Sequence, residues 1–152
     1  MGKTVTLLLA VVLMAAAGTS FGQSNELLDV LFEEPTTTLG QAAYLVLTAS
    51  GLIPEDSTPA DAAASLAGQG WTVPQRSAGE PLTLGEYSYL LMQAFELKGG
   101  VMYRIFPGPR YAGRELAYLQ LIKGDTSPYR TFSGEEAVSI LGRLLEWKEE
   151  QS

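Results

Sequence analysis

"GEPLTLGEYSYLLMQAF", residues 79–95, holds the signal that decides the fold. Thr83 is followed three residues later by Glu86, and an apolar run begins at once. This is the form of a capping box: the Thr hydroxyl accepts from the backbone N–H of Glu86, and the Glu carboxylate accepts from the N–H of Thr83. A carboxylate in the first turn also suits the positive end of the helix dipole. Leu84, Tyr87, Leu90, Leu91, Ala94 and Leu97 then keep helical spacing and form one apolar stripe. The stretch predicts an amphipathic helix closed by Lys98-Gly99-Gly100.

The same grammar occurs upstream and downstream. Thr38-Leu39-Gly40-Gln41 precedes Ala42, Leu45, Val46 and Ala49, and that segment stops at Ser50-Gly51. Ser133-Gly134-Glu135-Glu136 precedes Ala137, Ile140, Leu141, Leu144 and Leu145. The three cap residues Thr38, Thr83 and Ser133 are roughly 45–50 residues apart, a period at which an internal repeat has to be considered. Ahead of the third cap, residues 110–124 read as a helix with a Gly stop. Ahead of the second, residues 59–71 read as a small-residue helix ending in Gly70-Trp71, and ahead of the first only Leu27 to Phe32 remains. Each unit is thus a helix, a turn-rich loop and a capped helix, over about residues 25–53, 57–100 and 108–147.

Residues 1–22 are set apart from this domain. Met1-Gly2-Lys3 is a short positive start, Val5 to Ala17 is apolar apart from Thr6, and Ser20 and Gly22 stand at −3 and −1 of a cut before Gln23. That order predicts a cleaved secretory signal, because spanning a membrane takes roughly 20 apolar residues and this run is shorter. The remaining residues 23–152 match the size of one domain and need no staples; with no Cys in the chain, packing alone must hold it. No transmembrane anchor is expected after cleavage.

Charge is unevenly distributed. Residues 23–97 carry ten acidic side chains and a single Arg, Arg76. From residue 98 to 130 the balance reverses, with Lys98, Arg104, Arg110, Arg114, Lys123 and Arg130 against Glu115 and Asp125. A formal net charge of −7 argues against nucleic acid as the partner, while the basic segment suits local contact with an anionic polymer.

The repeated unit resembles the S-layer homology domain, whose repeat is a helix with an apolar "G-I-I-x-G" stop, a loop and a "T-R-A-E" helix start. Leu121-Ile122-Lys123-Gly124 and Gly70-Trp71 correspond to the stop. Thr83 to Glu86, Ser133 to Glu136 and Thr38 to Gln41 correspond to the start. The likeness covers roughly residues 25–147. It implies an all-α chain, three helix–loop–helix units forming one pseudo-threefold helical domain, in a protein exported to the periplasm or cell surface of a bacterium. It further implies a non-catalytic module that binds peptidoglycan or a linked anionic cell-wall polysaccharide. The family's ligand-binding Arg is replaced by Leu39, Leu84 or Gly134. The alternative is a protein-interaction subunit of an envelope complex that keeps the scaffold without binding glycan.

Among the residues themselves, Glu86 and Glu136 are the obvious carboxylates of a glycan-cleaving enzyme. Capping stabilises their ionised form, which is the reverse of what a general acid needs. Thr38, Gln41, Thr83, Glu86, Ser133 and Glu136 are therefore read as structural caps. Without His or Cys there is no Ser–His or Cys–His pair and no metal site built on those residues. No P-loop or dinucleotide glycine motif occurs, so no cofactor is expected. The candidate ligand site is "GGVMYRIFPGPRYAGR", residues 99–114, where Arg104, Arg110 and Arg114 stand beside Tyr103, Phe106 and Tyr111, with Arg130 further on. Guanidinium groups beside aromatic rings suit carboxylated sugars or an acidic protein loop. The competing reading puts Tyr111, Leu116 and Tyr118 in the core and leaves the arginines solvated. Trp71 reads as core, and Trp147 as a packing residue.

Overall fold

A computed structural model describes residues 25–73 and 75–152; the secretory segment expected over residues 1–22 lies outside them. The described chain is all-α. Residues 25–33 form α1, followed by α2 (Leu39–Ala49), α3 (Pro59–Leu66) and a 3₁₀ turn (Ala67–Gln69). Then come α4 (Leu84–Ala94), α5 (Val101–Ile105), α6 (Pro109–Tyr118) and α7 (Gly134–Gln151). Among the described residues no helix is long and apolar enough to cross a membrane.

Thr38, Thr83 and Ser133 are the N-caps of α2, α4 and α7, each with its hydroxyl accepting from the N–H three residues on. Thr58 caps α3 in the same way with Asp61, a box that the first reading of the chain does not single out. A side-chain cap satisfies one of the free N–H groups at a helix start, and the others need partners too. Here the partners come from elsewhere in the chain. Leu39 N–H donates to Glu80 O at 2.8 Å and Gly40 N–H to Ala78 O at 2.9 Å. Leu84 N–H donates to Arg130 O at 2.9 Å and Gly85 N–H to Pro128 O at 2.8 Å. Gly134 N–H donates to Glu34 O at 3.1 Å. So α2 is completed by the loop before α4, α4 by the loop before α7, and α7 by the segment before α2.

The same junction explains the glycines. A Cβ on Gly85 would stand 2.9 Å from Pro109 O and 2.8 Å from Pro128 Cβ, and one on Gly40 3.0 Å from Pro59 O. A Cβ on Gly134 would overlap Leu31 O at 1.8 Å. Glycine lets α2 cross the start of α3, α4 the start of α6, and α7 the end of α1. Leu39 and Leu84, next to those glycines, are buried in the core.

Just before the caps lie Thr37, Leu82 and Phe132, all buried. Thr37 N–H donates to Phe132 O at 2.8 Å, and Leu82 N–H to Thr37 O at 3.1 Å. Tyr87 is wholly buried beside them, stacked on Phe132 with ring centroids 5.0 Å apart, its hydroxyl donating to Ala137 O at 2.8 Å. Burial pushes this phenol well above its usual range.

Several boundaries differ from the periodicity. Helix α4 stops at Ala94, short of Lys98-Gly99-Gly100, because Glu96 turns left-handed (φ 54°) and Leu97 N–H folds back to Met92 O. Helix α6 stops at Tyr118, short of Gly124. Gln120 (φ 62°) reverses the chain so that Leu121 and Ile122, adjacent in sequence, both enter the core. A continued helix would spread those two residues about 100° apart. The candidate ligand stretch, residues 99–114, contains the short helix α5.

Candidate functional site

The capping carboxylates have a second role. Glu86 accepts from Thr83 N–H at 2.8 Å and holds Arg76 in a two-point pair, with Nη1 to Oε2 at 3.0 Å and Nη2 to Oε1 at 2.7 Å. Arg76 Nη1 also donates to Pro81 O, so the pair ties the loop before α4 to its first turn. At α7 the reciprocal half of the box is missing: Glu136 pairs with Arg130 through both oxygens and leaves the Ser133 N–H alone. At α2 the neutral Gln41 completes the box, accepting from Thr38 N–H at 3.0 Å.

Arg130 is thereby taken up by the loop. Its Nε and Nη2 donate to Asp125 O at 2.8 and 2.7 Å, and Nη1 reaches Thr131 O at 3.2 Å. Hydrogen bonding to Glu136 raises its pKa further. Arg143 and Lys148, both on α7, donate to Leu121 O at 2.8 Å and Phe95 O at 3.0 Å, closing the ends of α6 and α4.

Arg104, Arg110 and Arg114 are different. All three are exposed, and among the described residues none makes a salt bridge. Arg110 stands 5.8 Å from the centre of the Tyr111 ring, which is half-buried and stacks on Phe106 at 6.5 Å. Arg110, Arg114 and Tyr118 are spaced by four on α6 and share one face, on which Tyr118 is 82% exposed. The competing reading puts Tyr118 in the core with Leu116; Leu116 is buried there, as are Leu121 and Ile122, while Tyr118 faces out. Tyr103 leaves the group, since it is buried and accepts from Gln93 Nε2 at 2.8 Å, with burial raising its pKa. The structure thus places Arg110 and Arg114 on one face of α6 with Tyr111 beside Arg110, leaves Arg104 exposed on α5, and assigns Tyr103 and Arg130 to internal contacts.

Two features escape a reading by sequence. Helix α5 turns Val101, Met102, Ile105 and Phe106 outward, 46–68% exposed. A groove of about 570 Å³ opens where the ends of α4, α6 and α7 meet, floored by Met92, Phe95, Leu97, Leu119 and the half-buried Trp147. The residues flooring the groove are apolar, and only the packing of α4, α6 and α7 leaves them partly open; the outward turn of α5 likewise depends on Tyr103 packing inward. Trp71 packs half-buried against the core.

Among the described residues no group of three or more His, Cys, Asp or Glu could hold a metal ion. Compared with protein-family models, with curated proteins and with solved structures, the chain matches none.

Proposed function

We propose that the chain is a non-catalytic binding module of the bacterial cell envelope, acting after export in the periplasm or at the surface. It would hold peptidoglycan or a linked anionic glycan on the exposed face of α6. The observation that carries this reading is the line Arg110–Arg114–Tyr118 on α6, with Arg110 beside the Tyr111 ring and neither arginine in an ion pair among the described residues. Such groups give charge-assisted, two-point contacts to carboxylates and a flat surface for a sugar ring.

The scaffold would be three degenerate S-layer-homology-like units in a pseudo-threefold domain. The circular hand-over of helix N-termini to the next unit's loop supports that arrangement, as does the recurrence of cap, glycine and crossing at α2, α4 and α7. Burial of Leu39 and Leu84, where the family carries its ligand-binding Arg, argues for a binding face moved to α6. The absence of an enzymatic role is supported by Glu86 and Glu136, each tied to a guanidinium and neither lining the large groove.

Purified sacculi test this reading. The mature chain should co-sediment with them, and binding should fade as salt rises. Arg110→Ala with Arg114→Ala should weaken it about tenfold for each lost arginine, a charge-assisted bond being worth ~1.5 kcal/mol. Absence of binding at every salt concentration overturns it. The alternative, a protein-interaction subunit, is favoured by the apolar groove at the ends of α4, α6 and α7, whose form suits a partner's amphipathic helix.

A further inference from the structure

The outward face of α5 does not suit a polysaccharide. Val101, Met102 and Ile105 lie within ~100° of helical arc, and Phe106 follows directly; their exposures are 68%, 46%, 59% and 60%. Clustered apolar exposure of this kind marks a docking surface rather than scattered surface residues. The turn is held from behind by Tyr103, the buried residue of α5, and bracketed by Gly99-Gly100 and Pro107-Gly108-Pro109.

Charge selects the occupant. Between Glu96 and Glu115 the chain has four cations, Lys98, Arg104, Arg110 and Arg114, and no acidic residue, although the whole carries −7. A second copy paired face to face would bring these cations together, which is repulsive. A stable protein interface needs about 800 Å² and 20–30 residues per partner, far more than four side chains on little over one turn. An anionic bilayer asks for less: apolar side chains entering the headgroup boundary by ~5–10 Å, with basic residues around them.

We propose that α5 and Phe106 seat the protein on an anionic lipid surface, Val101, Met102, Ile105 and Phe106 entering the interface while Lys98, Arg104 and Arg110 meet lipid phosphates. This site adds an apolar patch to the proposed glycan face of α6 and shares Arg110 with it, and a module with both would sit between membrane and wall.

The test uses vesicles of equal parts phosphatidylglycerol and phosphatidylcholine, and vesicles of phosphatidylcholine alone. The mature chain should co-sediment with the first and not with the second. Arg104→Gln should weaken binding about fivefold, the effect of one cation near an anionic surface. Val101→Asp with Ile105→Asp, both exposed and outside the proposed glycan face, should abolish it while leaving the helical circular dichroism and the binding to sacculi unchanged. Because the chain lacks Cys, Met102→Cys carries a polarity-sensitive dye at a single point, and its emission should shift to the blue with anionic vesicles. The same dye at exposed Thr72→Cys should not respond. No co-sedimentation, co-sedimentation indifferent to the Val101 and Ile105 changes, or a dye at Met102→Cys that responds to an envelope protein extract and not to lipid, each overturns the proposal. Sacculi hold no bilayer, so failure here leaves the glycan reading standing, and failure there leaves this one.

Discussion

Among the described residues, Thr37 carries the one buried side-chain polar atom without a hydrogen-bond partner. It is fully buried, and its hydroxyl has no partner among the described residues, although its backbone N–H and C=O are both bonded. A buried hydroxyl without a partner costs on the order of 1–3 kcal/mol of desolvation, and Val matches Thr in shape. Thr37→Val should therefore raise stability by about 1 kcal/mol, read as a higher denaturant midpoint at unchanged slope. A loss would mean that the hydroxyl has a partner, such as a bound water. Sequence gave no warning here, since Thr37 stands among three threonines and only the third, Thr38, carries a readable cap signal. The arginines teach the same lesson: nothing in composition separates Arg130, engaged with Asp125 and Glu136, from Arg110, which is free of ion pairs among the described residues.

At the scale of elements, the cap motifs were legible because a capping box is local: three residues of spacing decide it. Helix ends were less so. Those of α4 and α6 are set by non-glycine residues in the left-handed region, Glu96 and Gln120, where sequence favours glycine as the stop. Glycines themselves divide into two kinds that look alike in sequence. Gly134→Ala would drive a Cβ into the α1 backbone and should cost at least ~2 kcal/mol, within or above the usual range for overpacking. Gly142, in the same helix, is exposed and has nothing within 4 Å. Gly142→Ala should stabilise by about 0.5–1 kcal/mol through helix propensity. Urea unfolding of the two variants checks the opposite signs.

At the scale of the molecule, the buried residues of α1, α2, α4, α6 and α7 form one contiguous cluster, and α2, α4 and α7 each borrow N-terminal acceptors from another segment. Neither arrangement leaves a part that keeps its bonds when another opens. Thermal unfolding should be a single transition, with helical circular dichroism and Trp fluorescence coinciding, since Trp71 and Trp147 report from opposite halves of the sequence. Separated transitions would mean that the units fold independently.

Sequence by itself determined that the chain is helical and where α2, α4 and α7 start, because caps are written in neighbouring residues. The single apolar stripes it predicts are not what α2 and α4 show, since both are buried nearly all round, while Ala49 and Leu145 are exposed. Sequence also located the cationic stretch from residue 98 to 114. Tertiary structure decided which of two identical-looking groups does which work. Tyr103 became core and Tyr118 surface, Arg130 became a clamp while Arg114 has no ion pair among the described residues, and α5 turned its apolar side to solvent. Those outcomes depend on which carbonyl or side chain a distant segment brings alongside, and such distances between far-apart residues leave no trace in local spacing.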